Sequence, residues 1–589
     1  MKKILSLLSL LVLTDPLLAA ADPLTPPSMV TKKGGAVYIE PPMVTVPGGE
    51  FQMGGGKPYM GDAAQDVSAL PVHKVKIAPF KLAKYEVTVA EFRRFIEATG
   101  YKAPDKCIHQ PDQGWFGQGA TPGSWDKNEL TTSEFQPVVC IGWAGADAYA
   151  KWLSQQTGKS YRLASEAEWE YAASAGRGKP GFPFGDDIDQ KRICEYANVS
   201  DQSAEHAGME RFGASYTGFM GGISPCDDGA GFASIVGMYK PNPLGIHDLI
   251  GNVAEYLQDC WNENYEGAPT DGSARLDGNC KMRVGRGGAW HWRGNTATQR
   301  GAIELDWVGV IEGFRLAQSL ASTADKRAAP TSLAFEKELA QAQAVERARR
   351  KSLQPFPQPP QGLQLNQGIG KSAVQLNWKA NPDPKVLGYH VYRSDSLGAD
   401  FVRIASNVKT QHYVDDAAPA RKHSYVVVAV NRDRFSEFSA PVLTADQVHA
   451  LPGRIQAEDF NRMDKAEVGK VAPQEDMEDA GGQAGLNLSG GAPGMAKDSW
   501  TEYSVEVQRA GNYRIAFRVA SQDGSKGLAL SVDGQSVLEQ AVPATGGFKS
   551  WQTVAAPDSI RLQAGRHVLR LRAIDLGWKL NWFSVQLAD

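Results

Sequence analysis

The pattern of apolar and polar positions changes character along the chain. Up to about residue 320, apolar residues fall at helical spacing in short stretches separated by irregular, Gly- and Trp-rich segments. Val89 to Thr99, entered through Glu86-Val87-Thr88, predicts an amphipathic helix, and Gly145 to Gln156, with Ala148, Tyr149, Trp152 and Leu153 on one face, predicts a second. A third is expected after Ser165, whose hydroxyl can cap the helix while Glu168 reaches back to close a capping box. From Thr331 to Lys351 Ala, Glu, Gln and Arg dominate, and Pro355-Phe356-Pro357-Gln358-Pro359-Pro360 follows; this reads as a helical spacer with a solvated basic face, then a stiff proline linker.

Beyond Pro360 the period becomes two. Val374, Leu376 and Trp378, then Tyr389 and Val391, then Tyr425, Val427 and Ala429 alternate with polar residues, which predicts a small β-sandwich. A second alternating stretch begins at Gly453, with Tyr503, Val505 and Val507, then Tyr513, Ile515, Phe517 and Val519, then His567, Leu569 and Leu571, and predicts a jelly roll.

The N-terminus carries a different pattern. Lys2-Lys3, an apolar run from Ile4 to Leu18 and Ala19-Ala20-Ala21 have the layout of a secretory signal peptide, with Asp22 as the expected mature start. Asp15-Pro16 interrupts the run, which falls short of the roughly 20 residues of a membrane span, so no transmembrane segment is expected after cleavage. A secreted or periplasmic location follows. There the even cysteine count favours disulfides over thiols. Sequence order suggests local pairing of Cys107 with Cys140, Cys194 with Cys226 and Cys260 with Cys280; no CxxC or Cys/His cluster supports metal ligation instead. A net charge of -4 provides no basic field for nucleic acid.

The first large region carries Pro71-Val72-His73, Tyr85-Glu86-Val87-Thr88, Pro137-Val138-Val139-Cys140, Arg162-Leu163-Ala164-Ser165-Glu166-Ala167-Glu168-Trp169-Glu170, Gly251-Asn252-Val253-Ala254-Glu255, Arg286-Gly287-Gly288-Ala289-Trp290 and Gly313-Phe314-Arg315. In that order these motifs resemble the formylglycine-generating (sulfatase-modifying factor) family, which implies a compact α+β fold related to C-type lectins. Active members oxidise a sulfatase cysteine with copper held by two cysteines. Counted from Gly287-Gly288-Ala289, those two positions hold Trp292 and Ala297 here, and neither can ligate copper. The resemblance also implies calcium, through Asp248, Gly251, Val253 and Glu255, and through Asn198, Val199, Asp228 and Ala230. His291, Trp292, Arg293, Asn295 and Gln299 occupy the segment that should face the family's cleft, and His291 is the candidate for a catalytic iron ligand. Trp290, Trp292 and Trp307 read equally as groove lining or packing.

The Tyr389-His390-Val391-Tyr392-Arg393 layout, with Trp378 and Tyr425, resembles a fibronectin type III domain. The segments around Ile455 to Phe460, Trp500 to Tyr503, Thr545 to Phe548 and Leu580 to Phe583 resemble family 6 carbohydrate-binding modules. That resemblance implies a glycan site using Phe548, Trp551 and Asn581, and a structural calcium at Gln456 and Glu458. The expected organisation is a signal peptide at 1–21, the formylglycine-generating-like domain at 39–321, a helical and Pro-rich linker at 322–356, the fibronectin domain at 357–447 and the jelly roll at 448–589. The expected function is an exported binding and scaffold protein directed to polysaccharide, with calcium as cofactor and copper not expected. The alternative is a non-copper oxidoreductase of the same superfamily, with iron or another metal, modifying a secreted peptide, protein client or siderophore.

Overall fold

The computed structural model describes residues 38–56, 66–108, 121–128, 130–176, 191–212, 222–293, 296–320, 330–367, 373–394, 401–416, 423–444, 446–464, 467–471, 476, 485–489 and 497–588. The expected signal peptide at 1–21 and Asn295 lie outside these residues. The chain forms two compact units, with the principal boundary between Lys351 and Ser352.

In the first unit, helix α1 (Val89–Thr99) starts where the sequence places it. The Thr88 hydroxyl accepts from the Glu91 amide, and the Glu91 carboxylate accepts from the Thr88 amide and hydroxyl at 2.8 and 2.6 Å. Gly100, left-handed at φ 68°, ends it as only glycine does cheaply. Helix α2 (Trp143–Thr157) begins two residues earlier than its periodicity suggests, because Gly142 provides the N-cap without contributing to the apolar stripe. Helix α3 (Glu166–Ala173) carries the expected Ser165–Glu168 capping box. Helix α4 (Gln202–Phe212) has no clear apolar stripe and was not anticipated from the sequence.

Two four-stranded sheets complete the unit. One has the order Met43–Val46, Phe80–Ala83, Leu316–Ser319, Tyr161–Leu163 and is antiparallel. The other has the order Arg300–Glu304, Asn279–Arg286, Ala254–Trp261, Glu312–Gly313, with the last pair parallel. A hairpin of Gly49–Met53 with His73–Ile77 packs near α3. Phe92, Phe95, Tyr149, Trp152 and Phe314 form one aromatic core, while Trp169 anchors another with Leu249, Ile250 and Ala297. Disulfides join Cys107 to Cys140, Cys194 to Cys226 and Cys260 to Cys280. Closing loops of 33, 32 and 20 residues, each removes unfolded-state freedom worth about 3–4 kcal/mol in the chain-entropy account.

Helix α5 (Pro330–Ser352) departs from the spacer reading. Its Ser332, Phe335, Leu339 and Gln343 are buried, and Phe335 packs with Ile39, Val236 and Leu339 in the first unit. The sequence hides this contact because an apolar stripe only two side chains deep is diluted by Ala, Glu and Gln.

In the second unit, strands Gln364–Gln367, Val374–Asn377 and His412–Asp415 form one sheet, and Val402–Val408, Gly388–Ser394, Ser424–Val430 and Val442–Leu443 form another. Trp378, Tyr389, Val391, Tyr425 and Val427 fill the space between them. Farther on, Trp500–Val507, Gly565–Ala573, Ser525–Val532 and Gln535–Val542 lie in one sheet, and Trp578–Leu587, Gly511–Ser521 and Gly547–Ala555 in the opposing one. Their inward period-two residues, including Tyr503, Val505, Ile515, Phe517, Leu569 and Leu571, form a jelly-roll core. Among the described residues no helix is long and apolar enough to cross a membrane.

The Glu91 cap is a pH probe. Burial, which outweighs the Thr88 hydrogen bonds, pushes its carboxyl up to about 7. An unfolded glutamate titrates near about 4.3, so the native state keeps a proton that the unfolded chain releases. Its contribution is therefore fully present below pH ~4 and is lost as pH rises through 7, a swing on the order of 3 kcal/mol. Glu91→Gln should flatten that part of the thermal-stability profile between pH 4 and 8; an unchanged slope would contradict the assignment.

Candidate functional site

The segment from Asp248 to Glu255 is built around a conformation that few residues adopt. Asp248, Gly251 and Asn252 all have positive φ, at 56°, 76° and 57°. At Gly251 a Cβ would lie 2.1 Å from the carbonyl oxygen of Asn198, so the Gly-Asn motif brings these two chain segments into contact. Asn252 then ties the neighbourhood together. Its backbone amide donates to the Asn198 carbonyl at 2.8 Å, and its side-chain oxygen accepts from Asn198 Nδ2 at 3.1 Å and from the Ser234 amide at 2.7 Å. Its Nδ2 donates to Glu86 Oε1 at 3.0 Å.

Among the described residues, three buried oxygens around this knot have no hydrogen-bond donor: Glu86 Oε2, Asn198 Oδ1 and Asp248 Oδ1, on residues no more than 3 % exposed. Buried acceptors are nearly always satisfied, and here every orphan is a hard oxygen. Burial pushes Asp248 up to about 6 despite the hydrogen bond that Oδ2 accepts from the Gly237 amide at 2.6 Å. Burial, and then the nearby Asp248, push Glu86 well above the carboxylate range.

The second predicted ligand set adjoins the first through Asn198. Asp228 Oδ2 accepts from the Val199 amide at 2.9 Å, and its Oδ1 accepts from the Ala230 amide at 2.8 Å and the Tyr239 hydroxyl at 3.1 Å. Asp201 caps α4 by accepting from the Ala204 amide at 2.9 Å and also accepts from the Asp228 amide. Burial raises Asp228 to about 7. Cys194 Sγ lies with Asp201 and Asp228 within a 4.8 Å cluster, but its disulfide leaves only the carboxylates as ligands. Asn198, Val199, Asp228 and Ala230 are thus brought together, and Asp248 and Gly251 stand next to them.

Glu255 is engaged differently. Arg315 Nε lies 2.8 Å from both of its carboxylate oxygens, and Trp169 Nε1 donates to Oε2 at 2.9 Å. The same guanidinium donates to the carbonyls of Ala83, His247 and Asp248. Glu255 therefore serves a buried ion pair that locks the segment after Val253 onto the Gly313-Phe314-Arg315 motif.

Along the segment expected to face a cleft, Trp290 is fully buried edge-on to Phe232, with ring centroids 5.1 Å apart, which favours packing over groove lining. Trp292 and Trp307 are half-buried. His291 is fully buried between Trp290 and Trp292, and burial holds its imidazole well below the usual range, hence neutral. Ala297 sits in the core, its carbonyl accepting from Arg286. Arg286 also bonds Glu166 and Glu170, and Arg300 grips Glu166 at 2.6 and 3.0 Å. This buried charge lattice was not read from the sequence; charged residues at apolar positions of the Arg-Leu-Ala-Ser-Glu-Ala-Glu-Trp-Glu motif were its only signal.

In the jelly roll, Phe548 and Trp551 lie half-buried on strand Gly547–Ala555. Asn581 is fully buried, its Nδ2 donating to Asp476 at 2.7 Å, and Asp476 pairs with Arg518 at 2.6 Å. The structure thus places the predicted amide in an internal network. Trp582 is buried beneath the Arg454 guanidinium, 3.9 Å from its ring centre. Gln456 Oε1 is a further buried oxygen without a donor among the described residues.

Comparison with known proteins bears on both units. Residues 32–320 match the sulfatase-modifying factor enzyme 1-like domain, 358–445 the fibronectin type III domain and 456–586 the family 6 carbohydrate binding module. The formylglycine-generating enzyme of Thermomonospora curvata is 29% identical over 260 residues, covering 40% of this chain and 76% of the relative. The inactive C-alpha-formylglycine-generating enzyme 2 of Bos taurus is 27% identical over 277 residues, covering 42% and 76%. Among solved structures, PvdO from Pseudomonas aeruginosa is 32% identical and covers 49% of this chain and 100% of its own, with a TM-score of 0.39. The chain therefore carries a formylglycine-generating-enzyme-like domain, a fibronectin type III domain and a family 6 carbohydrate-binding module, in that order.

The Glu255 pair gives a direct test. Glu255→Gln leaves a buried guanidinium without its counter-charge and should cost about 3–5 kcal/mol in urea unfolding of the first unit. Glu50→Gln, which breaks an exposed pair with Lys74, should leave the transition unmoved. Equal effects of the two substitutions would refute the ion-pair role.

Proposed function

We propose that this is an exported binding and scaffold protein whose formylglycine-generating-enzyme-like domain does not perform copper-dependent oxidation and whose C-terminal module directs it to polysaccharide. The observation carrying the proposal is the state of the cysteines: all six lie in disulfides, and Trp292 and Ala297 stand where the family's copper ligands are expected. Copper(I) requires soft thiolates, and the donors gathered elsewhere in the domain are hard oxygens. Similarity to both an active enzyme and a relative named inactive is compatible with a retained fold and a lost reaction. Export is supported by the three disulfides, which persist in oxidising compartments.

Calcium fits the donor set. Asn198, Val199, Asp228 and Ala230 would hold one ion, and the orphaned Asn198 oxygen supports that reading. Asp248, Gly251 and Val253 would hold a second, with Glu255 committed to Arg315. Calcium would supply positive charge to buried carboxylates and fix two loops. In the jelly roll, Gln456 and Glu458 would hold a structural ion, and Phe548 and Trp551 would supply the apolar platform for a pyranose. Asn581 would join them only indirectly, by fixing Asp476 and Arg518.

A second reading rests on His291. Its neutral imidazole is the form that ligates metals, so an iron-dependent enzyme modifying a secreted peptide, protein or siderophore would be organised around it.

Elemental analysis of the purified protein, paired with incubation of a sulfatase-type cysteine peptide after copper loading, separates these readings. Stoichiometric calcium with an unconverted peptide is expected; stoichiometric copper with formylglycine formation would overturn the proposal. Bound iron that disappears in His291→Ala, with substrate-linked oxygen consumption, would establish the second reading. For the C-terminal module, Trp551→Ala should abolish retardation in affinity gels across a panel of soluble polysaccharides; undiminished retardation would exclude Trp551 from the platform.

A further inference from the structure

Helix α5 carries contacts that a spacer has no need for. Along its inner face, Gln343 Nε2 donates to the Val236 carbonyl at 2.7 Å and Arg347 donates to the Gly237 carbonyl at 3.0 Å. One turn later Arg350 donates to the Asp228 carbonyl at 2.8 Å, to the Ser234 hydroxyl at 2.7 Å and to the Tyr239 hydroxyl at 3.1 Å. Glu346 holds the same guanidinium in place through a 2.8 Å bond from Nε. The contacts of Gln343, Arg347 and Arg350 outside the helix thus all fall on the stretch from Asp228 to Tyr239.

That stretch also forms the wall of the calcium candidates. Its Asp228 and Ala230 belong to one ligand set, its Gly237 amide bonds Asp248, and its Ser234 amide bonds Asn252. Tyr239 connects the two systems directly, receiving a bond from Arg350 and donating one to Asp228 Oδ1. The guanidinium touches the carbonyl of Asp228 and leaves the carboxylate to face Val199 and Ala230. It thus ties the ligand loop to α5 through the Asp228 backbone rather than through its carboxylate.

We infer that α5 is a latch for this cation site, with Arg350 as a positioning residue that holds the Asp228–Tyr239 stretch in its binding conformation. The inference rests on the calcium reading above and extends it to a segment outside the ligand set. Linkage makes the coupling reciprocal: if docked α5 strengthens binding of a hard divalent cation, the bound cation holds α5 down by the same factor. The ion and the start of the inter-domain linker are then one cooperative element.

The test uses the full chain stripped with EGTA and titrated with calcium against a chromophoric chelator. Arg350→Gln should bind about tenfold more weakly, a typical size for a coupling, with an unchanged far-ultraviolet spectrum. In the wild type, amide exchange across residues 335–350 should accelerate when calcium is removed. Calcium affinity that is equal or tighter in Arg350→Gln, or exchange in α5 that ignores calcium, would overturn the latch while leaving the calcium site standing. A wild-type chain that binds no calcium would overturn the site and the latch together. Should Arg350→Gln fail to fold, Tyr239→Phe removes only the hydroxyl bridge and should weaken binding several-fold; full affinity there would equally refute the coupling.

Discussion

The first domain depends on one dry amide. Asn252 has a side chain able to donate and accept in two directions, and burial commits it to Asn198, Ser234 and Glu86. Each of those partners lies on a different segment, and none of the three residues is itself in a helix or strand. An unsatisfied amide in this interior would cost about 1–3 kcal/mol at every open position, so the partners are fixed together or not at all. Its left-handed backbone, next to a glycine that no larger residue can replace, is the conformational condition for that arrangement.

Around this knot the buried charges fall into two groups. Glu166, Glu170 and Glu255 are matched by Arg286, Arg300 and Arg315 in close, hydrogen-bonded pairs. Burial would raise Glu166, but Arg300 and Arg286 hold it below its ordinary value. Burial pushes Glu86, Asp201, Asp228 and Asp248 upward, as it does the paired Glu170 and Glu255, but among the described residues these four have no direct side-chain ion pair of that kind. The paired acids stabilise the scaffold only as intact pairs, because removing one partner strands a charge in low dielectric. The second group is where a divalent cation would have the greatest effect on local order.

This division bears on the proposal that the domain keeps its family's fold without copper chemistry. The lattice of Arg and Glu meets Ala297 only through its backbone carbonyl, and neither the aromatic core around Phe92 nor the disulfides include Trp292 or Ala297, so a change of side chain there leaves these contacts in place. Fold and chemistry are separable in this architecture. The β-sandwiches of the second unit then supply surface at little cost in complexity, each closing its own core with period-two residues.

The sequence by itself determined the local structure. The capping boxes at Thr88 and Ser165, the switch to period two after Pro360, the ordered motifs of each domain and the even, locally spaced cysteines are all short-range signals, because hydrogen-bonded turns and pleats are specified by residues a few positions apart. The two residue sets proposed to hold calcium could be named from the family resemblance, but not that Asn198 stands between them. Only the tertiary structure decided that Glu255 faces Arg315, 60 residues away, that Asn581 turns inward to Asp476, 105 residues away, and that α5 lies on its domain. A side chain's partner in the interior is chosen by competition among distant groups for the same desolvated space, and periodicity carries no information about which of them will be there.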